Sequence, residues 1–170
     1  MKLLHDWGFN ADSWQGQRGE YWVLAQALLL IGFALLPVYR PPGWSIPTAP
    51  GIYGVWGIAG LLGLAGSGLF LKGLLDLGGS LTPLPHPRED GQLVESGVYT
   101  LVRHPVYGGV ILVTLAIAVL FLSLSHLIGA IVFFLFFDAK ASREETWLRQ
   151  KYPDYAQYQT QVKKLVPGLY

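Results

Sequence analysis

The chain has 170 residues and a formal net charge of +1, with 52% of its residues hydrophobic and only 14% charged. Soluble domains carry about 25% charged residues, so this composition, at a mean hydropathy of +0.38, is that of a membrane protein. The lack of cysteine excludes disulfides, thiolate zinc sites and thiol nucleophiles, and the near-zero charge gives no reason to expect a nucleic-acid partner.

Residues 1–170 are read as a single domain. Residues 1–20 are polar and aromatic, with Trp7 and Trp14 suited to a membrane surface. No cleaved leader is expected, because the first apolar run starts late and no small-x-small site precedes it. Residues 21–39 then run without a charge, long enough to cross a hydrocarbon layer. Tyr21, Trp22 and Tyr39 at the ends of this span match interfacial aromatic belts. Arg40-Pro41-Pro42-Gly43 should stop the helix.

A second span covers residues 52–72, uncharged through Leu71, and its glycines at 54, 57, 60, 63, 66 and 68 suit close helix packing in lipid. Lys72 and Asp76 mark its polar exit. The connection from 77 to 104 holds prolines at 83, 85 and 87, which forbid a regular helix and favour extended chain. A loop of that length is uncommon and often functional.

The third span, residues 106–124, is opened by Pro105 at the first helical turn, a position proline favours. A tight turn at 123–126 sends a fourth helix back beside the third. Its apolar run, 127–137, gives only about 16 Å of helix, too little to cross unaided. Helix is therefore expected to continue past Asp138, Lys140, Arg143, Glu144, Glu145 and Trp147 to Tyr152-Pro153, with a fourth span at about 126–142. Charged turns at that depth should face protein or a polar cavity. Residues 154–170 look like an amphipathic surface segment, with Tyr155, Tyr158, Val162 and Leu165 at helical spacing.

These elements predict an all-α, four-span membrane bundle with a C-terminal helical hairpin. Of the 12 Lys and Arg, 11 fall on one side of that topology and only Arg40 on the other. The positive-inside rule then puts both termini, and the pocket described next, in the cytoplasm.

Two polar knots stand out against the apolar runs. The first, in residues 96–109, is Arg103-His104-Pro105-Val106-Tyr107-Gly108-Gly109; the second, in residues 143–149, is Arg143-Glu144-Glu145. Adjacent glutamates on a helix point about 100° apart, so one can face a pocket while the other braces it. Glu145 and Arg149 stand at i, i+4, where an ion pair is expected, and an ion-paired helix end is the plain reading of this knot. Drawn toward membrane depth, the pair also suits a cationic ligand group such as an amine or a sulfonium. Arg103 and His104 can simply snorkel to the interface. Alternatively, free N–H groups in the first turn after Pro105 can take a carboxylate or a hydroxyl. Gly108 and Gly109 would give a ligand room, and Tyr107 would either pack or stack. Together the knots suit a zwitterion.

Arg103-His104-Pro105-Val106-Tyr107-Gly108-Gly109, a hydrophobic hairpin, Arg143-Glu144-Glu145, then Tyr152-Pro153, Tyr155, Tyr158 and Val166-Pro167 form an ordered set. Over about residues 77–167 this set resembles the isoprenylcysteine carboxyl methyltransferases and their phospholipid methyltransferase relatives. Residues 82–90 match that family's loop less closely, and the roles of His86 and Arg88 stay open.

The resemblance implies an integral membrane enzyme that binds S-adenosylmethionine and methylates a lipophilic or amphiphilic acceptor entering from the bilayer. It implies that Leu101, Val102, Arg103, His104, Tyr107 and Gly108 hold the cofactor from one side and Glu144 and Glu145 from the other, with Tyr99 beside the adenine. Arg103 or Arg149 would orient an anionic acceptor, with Glu145 also in the catalytic set. A membrane reductase using NADPH is the competing enzyme, though a Glu-Glu pair would repel its phosphates, and a non-catalytic membrane scaffold is the third reading. A metal is not expected, since His5, His86, His104 and His126 have no ligand spacing. Serine hydrolysis lacks its nucleophile elbow.

Overall fold

The structure, a computed structural model, describes residues 18–170; Trp7 and Trp14 lie outside the described residues. Its helices are α1 (Glu20–Ala34), α2 (Gly51–Leu77), α3 (Pro105–Phe121), α4 (Leu124–Lys151) and α5 (Tyr155–Gln161). Single 3-10 turns, Gly78–Ser80 and Gly97–Thr100, flank the proline-bearing loop. Among the described residues there is no strand, only an isolated parallel bridge between Val102 and Lys163. The expected all-α class holds.

Two segments, Gly51–Ser80 and Leu124–Lys151, are long and apolar enough to cross a membrane. The other two apolar helices are shorter than the sequence suggests, at 15 residues for α1 and 17 for α3. α1 stops at Ala34, before the Arg40-Pro41-Pro42 stop expected for it. Pro37 accounts for the earlier end, because the residue before a proline is pushed out of the helical region. Large apolar side chains stay outside, Leu61 and Leu64 of α2 at 71% and 76% exposure. A coat of that kind on a soluble chain would aggregate; in lipid it needs no partner.

α2 packs closely on α3 along a seam one residue wide per two turns, formed by Ala59, Gly66 and Gly73. A Cβ on Gly66 would stand 2.8 Å from the Gly109 carbonyl oxygen, and one on Gly109 2.7 Å from that of Gly66. The glycines at 54, 57, 60 and 68 meet nothing within 4 Å. Only part of the glycine pattern therefore serves helix packing.

The α3–α4 reversal is tighter than the expected turn at 123–126. Leu122 takes the left-handed conformation at φ 46°, and Ser123 caps α4 by accepting from the His126 N–H. Phe33 of α1 packs with Phe133 and Phe137 of α4 in the core. α4 runs as one helix through the charged residues to Lys151, as its short apolar run requires. Lys140, Ala141 and Glu145 on those last turns are buried.

The tail departs from expectation. Helix α5 ends at Gln161, and the chain beyond turns back on the protein instead of lying amphipathic on a surface. Leu165 is buried to 1% exposure, and Tyr155 and Tyr158 to 2% and 5%. Arg103 and His104 donate backbone N–H groups to the carbonyls of Lys163 and Lys164, at 2.8 and 3.0 Å. That pairing holds the tail in place.

Candidate functional site: an acidic and aromatic cleft at the end of three helices

The C-terminal end of α2, the start of α3 and the last turns of α4 meet at one end of the fold, roofed by the proline loop and α5. Between them lies a cleft whose empty space, open mouth included, is about 810 Å³. Its walls include Leu77, Leu93, Val94 and Leu148, the aromatic rings of Tyr99, Tyr107, Tyr152, Tyr155 and Tyr158, and the charged groups Arg88, Arg103 and Glu144.

The two knots meet beside this cleft. Arg103 donates from Nε to Glu145 Oε1 at 2.8 Å and from Nη1 to the carbonyls of Gln159, at 3.2 Å, and Val162. The His104 ring lies with Nε2 3.1 Å from the same Glu145 oxygen, and Gln159 Nε2 donates to Glu145 Oε2 at 2.8 Å. Glu145 thus spends both oxygens on the protein. It pairs with Arg103 across the fold, in place of the helical neighbour Arg149 that its spacing suggested.

Glu144 is the member that faces the cleft. Its Oε2 accepts from the Tyr107 hydroxyl at 2.7 Å, and His104 Nδ1 lies 3.9 Å from that oxygen. Its Oε1 carries no protein hydrogen bond among the described residues. The Tyr107 ring is stacked with His104 at 5.4 Å between centroids and with Phe137 at 4.8 Å. The direction of the Glu144 carboxylate is therefore set by a ring that cannot swing.

Around the opening, Gly97 at φ 62° lets the chain turn beside Asp76, whose Oδ2 accepts from the Val98 N–H at 2.9 Å. Tyr99 donates to the Gly73 carbonyl at 3.2 Å and receives Tyr158 on its own carbonyl at 2.6 Å. Burial is the main cause that pushes the hydroxyls of Tyr99, Tyr155 and Tyr158 above the usual phenol range, with nearby carboxylates adding to it at Tyr99 and Tyr155. All three stay protonated, and Tyr99 and Tyr158 serve as donors.

Tyr99, Arg103, His104, Tyr107 and Glu144 all line the cleft. Leu101 and Val102 do not: Leu101 points outward at 54% exposure and Val102 is wholly buried. Arg149 is exposed and outside the lining. Gly108 gives room to the tail rather than to a ligand, since a Cβ there would stand 2.6 Å from the Leu165 carbonyl. Gly109 gives room to α2 in the same way. Of the first-turn donors of α3, Gly108 N–H returns to His104 at 3.0 Å and proline has none, which leaves those of Val106 and Tyr107, both on the cleft wall.

Sequence reasoning did not anticipate the latch over the cleft. Lys151 donates to the carbonyls of Arg88 and, at 3.0 Å, of Glu89. The Tyr152 hydroxyl donates to the Gly91 carbonyl at 2.7 Å. His86 packs edge-on against Trp147 at 5.4 Å, and Arg88 holds Asp90 through two contacts of 2.9 Å. These backbone carbonyls leave no trace in composition; the basic-aromatic end of α4 was the one available signal.

An apolar helical bundle with two membrane-length helices and one acidic, tyrosine-lined cleft at their shared end describes a class of membrane protein with a small-molecule site. A family model described as phospholipid methyltransferase matches residues 55–155, from the first turns of α2 through the start of α5. The chain belongs to the phospholipid methyltransferase family, and its activity is by that membership methyl transfer at a membrane. No match is found among curated proteins.

Proposed function

We propose that this chain transfers a methyl group from S-adenosylmethionine to a lipophilic or amphiphilic acceptor, as the isoprenylcysteine carboxyl methyltransferases it resembles do, while its apolar helices cross the bilayer four times with both termini in the cytoplasm. The observation that carries the reading is the division of the glutamate pair: Glu145 is consumed by Arg103 and His104, while Glu144 presents a carboxylate to a cleft walled by tyrosines. A carboxylate beside aromatic rings suits a cationic nucleoside derivative and would repel the phosphates of NADPH. When bound, S-adenosylmethionine supplies a methyl group already activated by a sulfonium.

The chain's own part is placement. Glu144 takes the cationic amino group, and the N–H groups of Val106 and Tyr107 take a carboxylate. Tyr99, at 7% exposure, offers the flat wall for a base. Arg103 is the arginine at hand for an anionic acceptor, and Glu145 and His104 fix its direction. The proline loop and Leu148 cover part of the cleft, and limiting water there favours loss of charge as methyl moves to an anionic nucleophile. Holding the acceptor in line and close supplies most of the acceleration.

Two measurements on purified protein test this. Titration should show saturable binding of S-adenosylhomocysteine and none of NADPH, and label from S-adenosylmethionine should enter a total lipid extract. Binding of NADPH alone would replace the reading with a reductase; binding of neither would leave a scaffold.

A further inference from the structure

Lys140 is a cation buried to 1% exposure in α4, one turn beyond its apolar run. Its Nζ donates to Gln26 Oε1 at 2.6 Å and to the Pro83 carbonyl at 3.3 Å. No ion pair to a carboxylate is found for it among the described residues. What it does face is the ring of Tyr107, whose centroid lies 5.1 Å from Nζ. A charged group at membrane depth is costly and is kept where it does something. Packing alone would be met by methionine or leucine.

Lys140 and Glu144 stand at i, i+4, on one face of α4. The Tyr107 ring lies between their head groups, in contact with Lys140 through its π face and with Glu144 through its hydroxyl at 2.7 Å. A cation over an aromatic face is attracted by the ring quadrupole. It also withdraws electron density from the ring, which makes the hydroxyl a stronger donor. The carboxylate that faces the cleft is thus tied, through one ring, to an ammonium that does not reach the cleft.

The partners of that ammonium lie outside the cleft as well. Gln26 is on α1, and α1 falls wholly outside residues 55–155 that match the family. Pro83 is in the proline loop that roofs the cleft. One nitrogen therefore joins the N-terminal helix, the roof and the ring that orients Glu144.

We infer that Lys140 is a positioning residue for methyl transfer: held by Gln26 and the Pro83 carbonyl, its ammonium polarises the Tyr107 ring, itself stacked with His104 and Phe137, and so strengthens the hydroxyl that holds the Glu144 carboxylate that receives the cofactor. The inference rests on the methyltransferase reading above. It makes α1, with no share in the cleft lining, a contributor to cofactor affinity.

The test uses the full chain in detergent, with S-adenosylhomocysteine affinity and the kcat/KM of methyl transfer as readouts. Lys140→Met should weaken binding about tenfold, the range of a desolvated cation–ring contact, and Lys140→Arg should restore most of it. Tyr107→Phe placed on Lys140→Met should add less than about twofold, because the two act through one contact. Gln26→Leu should weaken binding in the same direction by a smaller factor. Where Lys140→Met does not fold, Lys140→Gln, which keeps a donor for Gln26 and Pro83 but no charge, should show the same loss. Wild-type affinity in a folded Lys140→Met or Lys140→Gln, or losses that multiply in the double variant, would overturn the inference. Failure of the wild-type protein itself to bind S-adenosylhomocysteine would instead overturn the methyltransferase reading beneath it.

Discussion

Arg103 Nε and Glu145 Oε1 are 2.8 Å apart, with 10% and 8% of their side chains exposed. The pair joins the entrance of α3 to the close of α4, and it shares that carboxylate oxygen with His104. Breaking one partner of a buried pair leaves the other charge without compensation. Glu145→Gln or Arg103→Met should therefore cost about 3–5 kcal/mol of stability, read as a lowered thermal midpoint in detergent. Unchanged midpoints would show that the pair is not what holds the two helices' ends together.

The glycine seam separates packing from pattern. Gly109→Ala places a methyl 2.7 Å from the Gly66 carbonyl oxygen, and the helices must part. Overpacking of that kind costs about 1–3 kcal/mol. Gly60→Ala, with nothing near it, should be neutral or stabilising, since alanine is the better helix former. Equal effects at the two sites would contradict the α2–α3 contact.

Tyr152→Phe removes one hydrogen bond, from its hydroxyl to the Gly91 carbonyl, worth about 1 kcal/mol. The roof over the cleft should then open more often. Faster proteolytic cutting within residues 82–94, with the thermal midpoint little changed, is the expected result, and S-adenosylhomocysteine should leave the cleft faster.

The same roof should loosen in acid. Burial is the main cause that holds His86 below its ordinary range, with the Arg18 and Lys151 charges adding to it and Glu89 opposing them. Because the folded state resists the proton that the unfolded chain accepts, His86 contributes fully above about pH 6.5, and the contribution is lost as pH falls below that value. Cutting in the 82–94 loop should rise as pH drops from 7 to 5, and His86→Phe should flatten that rise.

Much of the helical order was legible because hydropathy and proline carry it: Pro105 opens α3, and the shortness of the 127–137 run implies the charged extension of α4. The meeting of Arg103 with Glu145 was harder to read. Spacing pointed Glu145 to Arg149, a local partner, and only the fold brings Arg103 to the same carboxylate. Tyr155, Tyr158 and Leu165 show helical spacing, but their side chains pack on protein; a hydrophobic stripe does not say whether lipid or protein covers it. Gly108 and Gly109 illustrate the same limit, since a glycine that makes room does not reveal for what.

The most direct test is calorimetric titration of S-adenosylhomocysteine into wild-type protein and into Glu144→Gln. Loss of a charged partner in the cleft should weaken binding by about tenfold or more, while the thermal midpoint stays close to wild type because Glu145, not Glu144, carries the buried ion pair. Equal affinities in the two proteins, or no binding by folded wild-type protein, would contradict the assignment of this cleft to the methyl donor.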